Sequence, residues 1–336
     1  MKLEYSRELT GGAQVTTLLL QSQALQGNAL GDPTERSHPV LIPAGETQGL
    51  PLVFVLGGYT SFGHKHLNKG SLWEETLVER LGRLMAVDAI PSAVFVWPSC
   101  ETRLGGSQFM NSIGTGNYED MLVKELLPAV EKKWSCGGEG NRVVVGKSSG
   151  GFGALTLVMR NPGLFRAAAS HCGDMAFDVS QRRGFPEALT CWKKYGGPSA
   201  FLKALPQLAF NFSVHAGVEV IAMSTCYSPN LNSELGCDLP VDPETGVVDE
   251  EVFSRWLKHD PVQLIQQPES ADGLRRLDAL YLDAGESDEF ALQWGLRRFL
   301  IPLKEAEIEA RVDFFDGGHF HTDARYEVSL PFVLAR

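Results

Sequence analysis

The sequence predicts an α/β fold: a mostly parallel central sheet flanked by helices, with a mostly helical cap inserted late in the chain. Three observations carry this. Apolar runs such as Leu52-Val53-Phe54-Val55-Leu56, stopped by Gly57-Gly58, suit strands covered on both faces. Strand-like and helix-like segments alternate as far as residue 170 and again from 277. Between Met175 and about Asp260 the alternation breaks, and aromatic residues gather there.

Val15 to Leu20 is apolar and β-branched, Asn28 to Pro33 is a turn cluster, and His38 to Ile42 reads as another strand. After the apolar run at 52–56, Glu74 to Val87 is helical, with Leu77, Val78, Leu81, Leu84 and Met85 on one stripe. Ala93 to Trp97 is a buried strand ended by Pro98. Tyr118 to Trp134 reads as one long amphipathic helix, Asn141 to Val145 as a strand and Gly150 to Arg160 as a helix. Phe165 to Ser170 is a weaker strand. The 175–260 stretch holds Trp192, Tyr195, Phe201, Phe210, Phe212, Tyr227 and Trp256, too many aromatics for a disordered linker. It reads as a cap over the carboxyl edge of the sheet, with Phe210, Phe212, Tyr227 and Trp256 as candidate pocket walls. The sheet resumes at Leu277 to Leu282, followed by a helix from Glu289 to about Glu305 and a strand from Ala310 to Phe315. Residues 1–336 are therefore expected to form a single domain carrying 175–260 as an insertion.

Composition narrows the function classes. The 336 residues are 43% hydrophobic and 21% charged, enough to bury a sizeable core. A net charge of −11 argues against a nucleic-acid or anionic-membrane partner, since each asks for a basic face. The cysteines at 100, 136, 172, 191, 226 and 237 form no C-x-x-C pair. That leaves neither a zinc ribbon nor a thioredoxin-like motif, and points to free thiols in a reducing compartment. Charges at Lys2, Glu4, Arg7 and Glu8 interrupt any signal-peptide apolar core, and Val15–Leu20 is too short to span a bilayer. The expected location is cytoplasmic.

The strongest local signal is Gly146-Lys147-Ser148-Ser149-Gly150-Gly151, between the strand Arg142–Val145 and a helix rich in small residues. That is the context of a G-x-S-x-G nucleophile elbow, whose tight turn exposes the serine hydroxyl above the sheet. Glycines at 146 and 150 fit because a side chain there would collide across the turn. Ser149 then offers a backbone N–H at a helix N-terminus, where developing negative charge is stabilised. A phosphate-binding G-x-x-x-x-G-K-S loop needs glycine at 141, where the chain has Asn141.

An elbow serine takes its acid and base in the order Ser, Asp/Glu, His. Asp283-Ala284-Gly285-Glu286-Ser287-Asp288-Glu289 follows one late strand, and Asp316-Gly317-Gly318-His319-Phe320-His321 follows the next. Both lie at carboxyl ends of strands, where sites form in α/β sheets. His319 competes with His321. Asp288 competes with Asp283, Glu286 and Asp174, and is preferred because a few residues of turn let its carboxylate reach the imidazole. His319-x-His321 has no third ligand at metal spacing, so no metal is expected. Leu56-Gly57-Gly58-Tyr59-Thr60 supplies the second oxyanion donor, from the N–H of Gly58 or Tyr59.

With these pieces placed, the chain resembles the esterase family that contains esterase D-like enzymes, enterochelin esterases, feruloyl esterases and the mycolyltransferases. The match includes Asn111 to Asp120 with Glu125-Leu126-Leu127-Pro128, the elbow, Asp283-x-Gly285-x-x-Asp288-Glu289-Phe290 and Gly317-Gly318-His319. The resemblance implies an α/β-hydrolase fold, with Ser148 as nucleophile, Asp288 as acid and His319 as base. It also implies a serine carboxylic-ester hydrolase that works through an acyl-enzyme on a small-molecule ester, without cofactor. Many members have His-Gly where this chain has Gly57-Gly58, a departure confined to the oxyanion loop. The same apparatus serves an acyltransferase when an alcohol outcompetes water, whereas a non-catalytic binding protein on this scaffold would usually show a broken triad.

Overall fold

The computed structural model describes residues 7–70 and 72–335, so residues 1–6, which entered the signal-peptide reading, lie outside the described residues. The strands are β1 (Arg7–Glu8), β2 (Gln14–Gln21), β3 (Glu35–Ile42), β4 (Leu52–Leu56), β5 (Val94–Val96), β6 (Asn111–Ser112), β7 (Gly116–Asn117), β8 (Arg142–Lys147), β9 (Ala167–His171), β10 (Ala279–Gly285) and β11 (Arg311–Phe315). Nine of them build one sheet in the order β1-β2-β3-β5-β4-β8-β9-β10-β11, and β6 and β7 pair as a separate ribbon. The pairs β1–β2, β2–β3 and β3–β5 are antiparallel; every pair from β5 to β11 is parallel. The antiparallel edge is what β-branched segments joined by a turn produce, and the parallel part is what the apolar runs require.

Period-two alternation explains why those runs are apolar throughout. Leu52, Phe54 and Leu56 of β4 enter one core together with Val144 of β8, while Val53 and Val55 enter the other together with Val143 and Val145. The first core is covered by the helical rod over 118–134 and by the helices Ser149–Arg160 and Leu292–Glu305; the second is covered by Leu77–Ala86 and Tyr326–Val333. β8, which leads into Ser148, pairs with β4 and β9 and so lies inside the sheet with both edges taken.

Several boundaries differ from the sequence reading, each for a local reason. The helix expected from Glu74 begins at Leu77, because Thr76 caps it in a capping box with Glu79. The expected long helix over 118–134 contains a π turn at Met121–Leu126, immediately before Pro128, which has no N–H to donate. The strand expected to end near Asp283 runs to Gly285, so Asp283 is a strand-interior residue. The helix expected from Glu289 starts at Leu292, since the intervening residues form the turn that carries Asp288.

Between β9 and β10 the chain is mostly helical, with helices Phe177–Ser180, Phe185–Tyr195, Pro198–Ala204, Phe212–Tyr227 and Glu250–Leu257. They share a third core around Trp192, Phe201, Ile221, Tyr227 and Trp256. Tyr227 and Trp256 therefore correct the expectation that they wall a pocket: their rings pack together at 5.5 Å, and Trp256 Nε1 donates to Ser228 Oγ at 2.9 Å. All six cysteines are free and buried. Among the described residues no helix is long and apolar enough to cross a membrane. Trp256→Ala should cost about 3–5 kcal/mol of unfolding free energy in urea melts, the usual loss for a buried aromatic. A loss below about 1 kcal/mol would place the indole outside the core.

Candidate active site

The site starts from one strained residue. Ser148 has φ 58° and ψ −125°, a conformation rare for a residue with a side chain. It closes a turn so tight that a Cβ on Gly146 would lie 2.1 Å from Gly150 O, and one on Gly150 2.0 Å from Leu56 O. The turn is fixed at both ends: Ser148 N–H donates to His171 O at 2.8 Å, and Ser148 O accepts from Phe152 N at 2.9 Å. The helix Ser149–Arg160 opens at once, directing its N-terminal dipole at the serine. The side chain of Ser148 is thereby lifted off the carboxyl end of β8 into a cleft.

The candidate base and acid follow β11 and β10. His319 Nε2 lies 3.1 Å from Ser148 Oγ, and His319 Nδ1 lies 2.8 Å from Asp288 Oδ2. A carboxylate at Nδ1 calls for the proton there and leaves the Nε2 lone pair facing the serine. Asp288 is held in turn by Phe290 N–H, 2.8 Å from its Oδ1. The turn after β10 and the loop after β11 are laced together by Glu286 N–H to Phe315 O and Ser287 N–H to Gly317 O, both 2.9 Å. A Cβ on Gly285 would come within 2.5 Å of Gly317 O, which explains a glycine there. Glu289 also binds the backbone of His319: its Oε2 accepts His319 N–H at 2.6 Å. The sequence reading gave Glu289 no role beyond the motif, and only this contact reveals one.

The competing candidates have other partners. His321 is exposed on the cleft rim. Glu286 pairs with Arg297 at 2.8 Å, and Asp283 is bonded to His171 at 2.9 Å. Asp174 lies in the cleft wall and accepts from Ser149 Oγ at 3.3 Å. Ser149 Oγ also receives Gln108 Nε2 at 3.1 Å, a partner with no signal in the sequence. On the expected oxyanion side, a Cβ on Gly58 would lie 3.2 Å from Ser148 Cβ, so this backbone packs directly on Ser148. Tyr59 turns its side chain away, donating its hydroxyl to Leu104 O at 2.5 Å.

The cleft is flanked by Phe210, Phe212, Phe290 and Phe320, with carboxyls at Asp174 and Glu219. Phe290 sits edge-on to His319 at 4.7 Å. Burial pushes Asp174 up to about 6, with neighbouring His319 opposing. Burial, then the charge of Asp174, pushes Glu219 up to about 8. His215, 3.5 Å from Glu219, is held down at about 4 by burial and then by His319. Cys172, Asp288 and His319 offer ligand atoms within 4.8 Å of one another. Two of these are committed to each other, and burial pushes the Cys172 thiol up, away from the thiolate a metal needs.

The fold has known counterparts. The family profile described as "Putative esterase" matches residues 33–331. The chain belongs to that family. The esterase superposes on a ferulic acid esterase with a TM-score of 0.64 at 18% identity, covering 96% of this chain and 98% of that one. For a fluorophosphonate-binding serine hydrolase of Staphylococcus aureus the score is 0.60 at 12% identity, covering 96% and 99%. An S-formylglutathione hydrolase from Agrobacterium tumefaciens gives 0.56 at 16% identity, covering 97% and 95%. At these identities the likeness shows the α/β-hydrolase fold. No curated protein sequence matches the chain. Family and fold together make it a carboxylic ester hydrolase.

Two outcomes follow from the geometry of the esterase. Gly150→Ala forces a Cβ into Leu56 O and should cost more than about 3 kcal/mol or prevent folding, whereas Gly184→Ala, with open space around it, should stay within about 1 kcal/mol of the parent. Equal thermal melts for the two variants would contradict the steric account. Glu219 keeps its proton to a higher pH folded than unfolded, so the native state binds more protons between about 4.5 and 8 and loses stability as pH rises through that window. Glu219→Gln should therefore raise the Tm more at pH 8.5 than at pH 5. A shift of the same size at both would remove the carboxyl from the stability balance.

Proposed function

We propose that the esterase acts through a covalent acyl-enzyme on Ser148, with His319 as general base and acid and Asp288 as the orienting carboxylate. The observation that carries this is the row Asp288–His319–Ser148, with contacts of 2.8 and 3.1 Å and the hydroxyl opening into the cleft. His319 takes the hydroxyl proton as Ser148 attacks the ester carbonyl, and Asp288 steadies the imidazolium. The oxyanion forms against the backbone N–H of Ser149 and that of Gly58 or Tyr59. His319 passes the proton to the departing alcohol, and water activated by the same imidazole releases the acid. The protein's part in every step falls to these side chains and backbone groups. We read 175–260 as a cap within a single domain whose cleft-facing aromatics, Phe210 and Phe212, hold the organic part of a small-molecule ester.

Ser148→Ala should reduce ester turnover on the order of a million-fold and abolish labelling by a fluorophosphonate probe. Ser149→Ala should keep both, because only its N–H is assigned a role. Labelling that survives in Ser148→Ala would place the nucleophile elsewhere. Phe210→Ala or Phe212→Ala should change the ratio of rates on short and long acyl esters by roughly tenfold, the effect of about 1.4 kcal/mol on a barrier. A flat profile in both would leave these rings without a part in substrate choice.

A further inference from the structure

A second Ser-His-Asp row lies beside the first. His171, the last residue of β9, has Nδ1 2.9 Å from Asp283 Oδ2 and Nε2 2.9 Å from Ser329 Oγ. All three are about 1% exposed or less, so this row meets no substrate. Its connections are what matter. The carbonyl of His171 accepts the N–H of Ser148, and in the strand register His171 sits between Lys147 and Asp283. Asp283 stands on β10, five residues before Asp288, and its Oδ2 also receives Arg325 Nε at 2.9 Å and Tyr281 Oη at 3.2 Å. Arg325 donates as well to Asp313 on β11 and to Tyr281 Oη, the latter at 2.6 Å. Asp313 lies six residues before His319 and Arg325 six residues after it, so this ion pair closes the base loop at its shoulders.

On the acyl-enzyme reading above, we infer that His171, Asp283 and Arg325 are positioning residues that hold the loops of Ser148, Asp288 and His319 in one register. Each catalytic loop leaves a different strand, and the network ties those strands together where they end. Asp283 is a buried carboxylate whose proper partners are donors only, so it fixes the His171 ring and the Arg325 fork in single orientations. A displacement of about 1 Å between reacting groups costs on the order of a hundredfold in rate. A network of this kind therefore acts on kcat more than on substrate binding. Of His171, Asp283 and Arg325, Arg325 is the nearest to the surface, with 17% of its side chain exposed.

The test uses the full chain, with p-nitrophenyl acetate as substrate and thermal melts alongside. Arg325→Met and Asp283→Asn should each lower kcat by about 10- to 100-fold with KM within about threefold, in protein that remains folded at the assay temperature. Arg325→Lys keeps one cation for Asp283 and should recover kcat to within about fivefold of the parent. Should Asp283→Asn fail to fold, the Arg325 pair decides, since its side chain reaches the surface. Folded variants with a lowered Tm and kcat within twofold of the parent would reduce the network to structural support and overturn the inference. A parent enzyme that hydrolyses no ester, or a Ser148→Ala variant that still does, would instead overturn the acyl-enzyme reading on which it rests.

Discussion

The positive φ of Ser148 is the constraint around which the rest of the molecule is arranged. Such a conformation costs on the order of 1–3 kcal/mol and persists only when the surroundings over-determine it. Here they do. Gly146 and Gly150 leave no room for another turn, the 2.8 Å bond to His171 O holds the entry, and the bond from Phe152 N commits the exit to a helix. Both cores serve this end, since β8 must be rigid on both faces for the serine that follows it to be aimed. A half-buried serine hydroxyl that opens into the cleft is what the strain yields.

Three aspartates follow strand ends or late strand positions, and their neighbours give them three different characters. Asp288 meets one imidazole, that of His319, and one backbone N–H. Asp283 meets a histidine, a tyrosine and an arginine, and is locked into the sheet. Asp174 meets a serine hydroxyl in a poorly solvated wall, where burial raises its affinity for a proton. One residue type thus supplies the proposed orienting carboxylate, a structural anchor and a cleft-wall acid. Chain position alone would not separate them; the donors around each carboxyl do.

Much of the site was legible in the sequence because it depends on local rules. The glycine spacing around Ser148 is dictated by sterics. Strand-end placement with chain order pointed to the segments 283–289 and 316–321, and turn length with the family resemblance favoured Asp288 and His319 within them. The parallel sheet was legible for the same reason, through apolar runs that alternation splits between two cores. What was not legible depends on distant partners. Nothing near Gln108 announces that it reaches Ser149, and nothing near Glu289 announces that it receives the N–H of His319. Tyr227 and Trp256 looked like Phe210 and Phe212 in sequence, yet the first two fill a core and the second two face the cleft. Helix periodicity cannot decide which side of an inserted bundle an aromatic occupies. Helix starts shifted for related reasons, at a capping threonine and at the turn that carries the acid.

On the proposed mechanism, catalysis passes through an ester bond on Ser148. Rapid mixing with p-nitrophenyl acetate, acid quenching within the first turnover and peptide mass spectrometry read that bond directly. The account predicts a burst of nitrophenol matched by an acetyl group on the peptide that carries Ser148, localised by fragmentation to that residue. Turnover with no acetylated peptide at any quench time, or an acetyl group that accumulates on Ser149 or another side chain, would contradict it.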